Sequence, residues 1–198
     1  MARPITFDRN IARDRALRFF WRRGYQGAGL SDLLAEMKIG RSSFYAAFGD
    51  KRRLFLECLD HFAVNTVSIL RGSERGLTPI ERLRRFLGQE TLPPMAEERG
   101  WGCMLVNTVV EMARIDDDLH DHAICRLEEI RSAMTDLLLE AGCHPGDSED
   151  YSGFLMLMNK GLRVAGRQGL SLESQGRQVS LTFAMLESAL PIPSPIEA

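Results

Sequence analysis

Arg41, Ser42, Ser43 and Tyr45 are the side chains whose types and spacing point most directly to a chemistry. They fall within residues 31–51, a stretch that reads as two short helices joined by a tight turn, with a third helix starting directly afterwards. Leu33, Leu34, Met37 and Ile39 supply one apolar set at helical spacing, and Phe44 and Phe48 a second set four residues apart. With both phenylalanines turned inward, the opposite face offers short or cationic hydrogen-bond donors and almost no apolar bulk. Such a face suits a helix laid into a DNA major groove and braced by the helix before it. Arg41 is the long cation there and the natural reader of a guanine edge. Ala46 and Ala47 offer only methyl contacts, so part of any sequence preference must come from duplex shape and half-site spacing. An ordinary helical hairpin with a solvated face is the competing reading of this stretch.

The elements that hold this face in place follow from the flanking residues. Ala12, Ala16 and Phe20, with Phe19 beside them, give a first helix over 8–23 one apolar stripe, and Gly24 ends it. Trp21 and Tyr25 are expected to pack the three-helix head together. Asp50 is placed to cap helix 4, whose first residues are Lys51, Arg52 and Arg53. Three cations at the positive end of a helix dipole are a poor choice of sign, unless an anion such as phosphate sits there. Helix 4 runs to about residue 71 on a stripe of Phe55, Leu59, Phe62, Thr66 and Ile69, and so joins head to body.

Phe44-Tyr45-Ala46-Ala47-Phe48-Gly49-Asp50-Lys51, followed by Leu54, resembles the recognition helix and helix-4 start of the TetR (tetracycline-repressor-like) transcriptional regulators. Gly24-Tyr25 and Asp32-Leu33-Leu34-Ala35 fall at the spacing that family uses, so the resemblance covers roughly residues 9–60. The chain departs from the pattern at Lys38, where a turn glycine is usual, and at Gly40, Ala28, Gly29 and Ala47. The resemblance implies that Tyr45 and Lys51 bind phosphates while the early recognition-helix positions face bases. It also implies a homodimer in which the last two helices form a four-helix bundle with their copies, each head entering one major groove of a pseudo-palindromic operator.

Charge supports the same division. The 198-residue chain has a net charge of −2, but residues 1–55 carry +7 and the remainder −9. A basic front on an acidic back fits a nucleic-acid-binding head on a body that does not bind it. An apolar fraction of 44% with 26% charged residues is globular. No apolar run is long enough to span a bilayer and the N-terminus lacks a signal-peptide core, so a cytoplasmic protein without a membrane partner is expected. Cys58, Cys103, Cys125 and Cys143 show no metal-ligand rhythm and read as reduced, largely buried thiols.

The body reads as five further helices. Thr78-Pro79 opens helix 5 and Pro93-Pro94 stops it. The run from Trp101 to Met112 is apolar nearly all round, so helix 6 is expected in the interior of the body. Its Gly-Cys-Met-Leu-Val-Asn-Thr string resembles a helix-6 signature of one branch of the same family. Asn107 and Glu111 are its polar pair, and two readings stay open for them: ligand-orienting groups, or a satisfied core hydrogen bond. Trp101, Met104, Asn107, Glu111 and Met158 are the candidate effector-pocket residues. Asp116-Asp117-Asp118 starts helix 7, which ends near Gly142; Asp118, His122 and Cys125 share a face without a defined metal motif. Helix 8 (about 148–168) and helix 9 (about 172–190) carry more apolar bulk than one body covers, and a Pro-rich tail follows.

The expectation is therefore all-α: a helix-turn-helix DNA-binding domain over 1–52 and a helical effector-binding and dimerisation domain over 53–198, about nine helices in all. The function it implies is a transcriptional regulator, most simply a repressor released from double-stranded operator DNA by a small-molecule effector that moves helix 4. No nucleophile with a base, carboxylate pair with a histidine or phosphate-cradling loop marks an enzyme, and no cofactor is called for. The competing classes are a helical protein-interaction module and a metal protein.

Overall fold

The computed structural model describes residues 7–72, 76–88 and 100–189, and among these every regular element is a helix. They are α1 (Arg9–Arg23), α2 (Leu30–Met37), α3 (Arg41–Phe48), α4 (Lys51–Arg71), α5 (Pro79–Leu87), α6 (Met104–Met112), α7 (Asp117–Glu140), α8 (Pro145–Arg167) and α9 (Leu172–Ala189). The all-α fold expected from the periodicities is the one observed. The stop at Pro93-Pro94, the loop residues 73–75, the connection through Glu97-Glu98-Arg99, Leu190 and the Pro-rich tail lie outside the described residues.

Local chemistry sets the helix ends. Asp8 caps α1 by accepting the Asn10 and Ile11 amides at 2.8 and 3.1 Å. Asp50 accepts the Arg53 amide at 2.8 Å at the head of α4. Thr78 and Glu81 form a reciprocal capping box on α5, with Pro79 in the first turn. Helix α8 begins at Pro145, earlier than its apolar pattern indicates, because proline fits the first helical position and His144 accepts the Gly146 amide there. Helix α6 begins only at Met104, since Gly102 takes a φ of +75° that no helix contains.

Two compact units make up the chain: Met1–Val64 with Cys103–Leu127, and Asn65–Gly102 with Glu128–Ala198. In the first, Ala12, Ala16, Phe19 and Phe20 of α1 bury with Leu33 and Met37 of α2, Phe44 and Phe48 of α3, and Leu54, Phe55 and Leu59 of α4. Phe20 meets Phe55 edge-on at 4.9 Å, and Trp21 meets Phe62 at 5.1 Å. Helix α6 belongs to this unit. The expectation that it is buried all round needs correction: Met104, Leu105, Val106 and Met112 are buried, but Val110 is 72% exposed. A helix of nine residues packed along one side leaves the other side out, whatever its composition.

In the second unit, Leu83, Phe86 and Leu87 of α5, Leu137 and Leu138 of α7, Leu155 and Leu162 of α8, and Phe183 of α9 are buried. Arg82 donates to the Leu70 carbonyl at 2.7 Å, closing the end of α4, and Thr135 donates to Ser152 across α7 and α8 at 2.8 Å. Arg163 is buried on α8, donating to Asn159 Oδ1 at 3.1 Å and to the Phe86 carbonyl at 3.2 Å. The buried stripe of α4 ends on Leu70, with Ile69 half-buried, because 3.6 residues per turn carries the stripe sideways over five turns.

The turn between α2 and α3 pivots on Lys38, whose φ of 57° and ψ of 42° lie in the left-handed region. A side chain there costs about 1–2 kcal/mol, of which glycine's extra unfolded-state freedom would return about 0.4–1 kcal/mol. Lys38→Gly is therefore expected to stabilise the protein by about 0.5–1 kcal/mol net. A thermal melt checks this, with Tm rising by about 1–4 °C.

Candidate nucleic-acid interface

The apolar ridge of α3 is closed: Phe44 is fully buried and Phe48 nearly so, their rings 6.1 Å apart. Because α3 has only eight residues, burying this ridge fixes the opposite face outward. Arg41, Ser42 and Tyr45 are exposed, Ser43 is half-buried, and the Tyr45 ring stands edge-on to Phe44 at 5.3 Å. Neither α2 nor α3 carries a side-chain cap, since Gly29 and Gly40 occupy the capping positions. The first turn of α3 thus has no side-chain cap beside Arg41.

Polar ties too distant in sequence to show as motifs hold α3 in its pose. The Arg9 guanidinium grips the Glu57 carboxylate with two bonds of 2.7 Å, donates to the Ala47 carbonyl at 3.3 Å and lies 4.6 Å over the Phe48 ring. One arginine from α1 therefore joins the last turn of α3 to α4, and the Glu57 hydrogen bond pushes its pKa further up. At the other end of the turn, Arg15 donates to the Met37 carbonyl at 3.3 Å.

The three cations at the start of α4 have different fates. Arg52 donates to Asp116 at 3.0 Å and to Asp118 at 3.1 Å, so its charge is answered from the start of α7. The Lys51 ammonium sits 4.3 Å over the Tyr25 ring, half-buried, and that burial pulls its pKa down. Arg53 is exposed. The clash of sign at the α4 N-terminus is thus partly settled inside the molecule, by Asp116, Asp118 and the Tyr25 π-face.

Of the candidate effector residues, Met104, Asn107 and Glu111 share α6 in the first unit, while Trp101 and Met158 lie half-buried in the second. Met104 is buried and Asn107 half-buried. Glu111 accepts the backbone amides of Tyr25 at 3.0 Å and Gln26 at 2.8 Å, one on each carboxylate oxygen. Asp118 and His122, the acid and imidazole of the loose metal reading, have other partners: Arg52 for the first, and Asp60 at 2.7 Å for the second. Cys58 is buried with its thiol pKa driven well up by desolvation, the opposite of a reactive thiolate, whereas Cys125 is exposed.

Residues 13–58, from within α1 into α4, match the family model of "Bacterial regulatory proteins, tetR family". In this segment the chain is similar to the TetR-family DNA-binding transcriptional regulators. It is 26% identical over 164 residues to the HTH-type transcriptional regulator YezE of Bacillus subtilis, covering 81% of this chain and 84% of that one. It is 24% identical over 180 residues to the HTH-type transcriptional repressor ComR of Escherichia coli, covering 86% and 85%. Among solved structures, it resembles a cysteine mutant of the TetR family transcriptional regulator CifR, complexed with 26-base-pair double-strand operator DNA. That likeness has a TM-score of 0.72 at 27% identity, over 96% of this chain and 100% of that one. Across the described residues, no helix is long and apolar enough to cross a membrane.

Sequence spacing could not reveal Arg9, Glu57, Glu111 or Asp116 as supports of the interface, since each acts on residues 38 to 86 positions away. Asp116 also bears on acid stability. The Leu119 amide and the Arg52 guanidinium hold its carboxyl below the ordinary value of 3.8. A depressed folded-state pKa contributes stability above that value and loses it as pH falls through the lower one. Asp116→Asn, which keeps a capping oxygen, is expected to cost about 0.5–1 kcal/mol at pH 7. Denaturant titrations repeated from pH 7 down to about pH 2 should show the difference from wild type close below the ordinary carboxylate range.

Proposed function

We propose that this regulator acts in the cytoplasm as a repressor, a homodimer whose two heads occupy successive major grooves of a pseudo-palindromic operator. The observation that carries the reading is the outward, braced face of α3: exposed Arg41, Ser42 and Tyr45 over a sealed Phe44–Phe48 ridge. In this proposal Arg41, with Ser42 and Ser43, reads base edges, while Tyr45 and Lys51 hold phosphates. The chain then works by binding and not by catalysis. Residues 1–52 are its DNA-binding domain and residues 53–198 its effector-binding and dimerisation domain.

Support for the dimer comes from α8 and α9, where Phe154, Leu157, Leu181 and Met185 are exposed in one chain. Large apolar side chains gathered on the last two helices are surface a second copy would cover. Release by a small-molecule effector belongs to the same proposal, with Trp101, Met104, Asn107, Glu111 and Met158 as the residues to substitute in a ligand screen. An effector can weaken operator binding only by as much as it prefers the released conformation.

Two measurements test this reading. Arg41→Ala is expected to lose about 1–3 kcal/mol of discrimination between operator and random duplex, whereas Lys51→Ala weakens both alike and lowers the salt slope by about one per head. Gel shifts on the DNA flanking the gene, with salt titrated, separate the two effects; equal loss of discrimination in both variants would end the proposed division of labour. Leu181→Glu is expected to convert dimer to monomer in sedimentation velocity, and an unchanged dimer would move the interface elsewhere.

A further inference from the structure

A carboxylate packed against a head that must approach phosphates works against binding unless it performs a service that outweighs its charge. Glu111 is such a carboxylate. It lies on α6, 85 and 86 positions from the amides it accepts, at the corner where α1 gives way to α2. Gly24 makes the approach possible: its φ is +74°, and a Cβ there would lie 2.7–2.9 Å from the Glu111 carboxyl. The Tyr25 backbone is thereby held, and its ring is wedged 4.9 Å from Phe55 with the Lys51 ammonium 4.3 Å from its face. Carboxylate, amide pair, ring and ammonium form one continuous chain of contacts ending at the first residue of α4.

We propose that Glu111 is a positioning residue for DNA binding, fixing the α1–α2 corner so that the Tyr25 ring holds the Lys51 ammonium ready for a phosphate. The inference rests on the reading of Lys51 as a phosphate contact. A lysine side chain is a flexible stem whose ordering costs free energy, and a partner that orders it beforehand removes that cost from binding. The cation–π contact supplies the ordering only if the ring itself is fixed. Coulomb's law alone makes the opposite prediction, because removing a negative charge from the head strengthens attraction to DNA.

The test uses the full-length protein, a fluorescein-labelled random-sequence 30-base-pair duplex, and anisotropy titrations across a range of salt. Glu111→Gln and Glu111→Asp each break the paired acceptance, the second while keeping the charge. Both are expected to weaken binding about five- to tenfold and lower the salt slope by about one per head, as Lys51→Ala does. Glu111→Gln combined with Lys51→Ala is expected to lose no more than Lys51→Ala alone, since both act through one contact. Faster hydrogen exchange at the Tyr25 and Gln26 amides, with far-UV circular dichroism unchanged, ties the loss to the corner. Tighter or unchanged binding by Glu111→Gln, or losses that add in the double variant, would overturn the proposal while leaving the Lys51 reading intact. Should Lys51→Ala bind like wild type, the phosphate reading falls and the inference with it. If Glu111→Gln fails to fold, Tyr25→Leu takes its place: it removes the ring, and wild-type affinity in that variant overturns the proposal equally.

Discussion

An eight-residue helix has no stability of its own in water, and α3 is that short. Its existence and orientation are tertiary facts, created by sealing Phe44 and Phe48 into the core of the first unit. The same burial decides which side chains face out. If the ridge were less apolar, the helix would fray; if it were turned by one residue, the exposed face would no longer be that of Arg41, Ser42 and Tyr45. In the proposed function, sequence-specific contact at the surface depends on a non-specific force beneath it. Burial says only which face is in, however, and leaves the helix free to slide and tilt by small amounts. The bonds of Arg9 to Ala47 and Glu57 remove that freedom, because hydrogen bonds have direction where apolar contact does not.

A head with a large positive charge must also fold, and like charges brought together oppose folding. The structure answers by pairing some of these cations with acids. Glu57 pairs with Arg9 at the base of α3, and Asp116 and Asp118 pair with Arg52. Arg41 and Arg53 stay exposed. The cations divide into those that hold the head together and those turned outward, and the arithmetic of net charge does not distinguish the two classes.

Much of the architecture was legible in the sequence, for reasons that differ between elements. Helix ends could be read because their chemistry is local: Asp50 three residues before the amide it caps, Thr78 before Pro79, Gly24 after the last turn of α1. Apolar stripes could be read because the period of a helix is fixed, although the stripe of α4 drifts off the sequence estimate by its last turn. The burial of α6 was misjudged because composition says what a helix can bury, not how many neighbours it has; Val110 is the result. The left-handed turn at Lys38 was legible only as a departure from a family pattern, since nothing in a lysine announces a positive φ. Arg9, Glu111 and the buried Arg163 were not legible as structural groups. Their partners lie far away in the chain, and all three act on main-chain carbonyls or amides, which every residue possesses.

Glu111 shows why a polar residue on an apolar helix is so hard to read from sequence. The two options open to it were a ligand and a core hydrogen bond, and both assume that the side chain serves its immediate surroundings. Instead its two oxygens take the two amides that follow Gly24, where the chain has just left α1. Two parallel amides define both a distance and an angle for the carboxylate that accepts them, so α6 and the α1–α2 corner are registered to each other in a way apolar packing alone would not enforce. The residue that permits this is the one that ends α1, since only glycine combines that backbone angle with so close an approach. The stop signal of the first helix and the polar residue of the sixth are thus two halves of one junction.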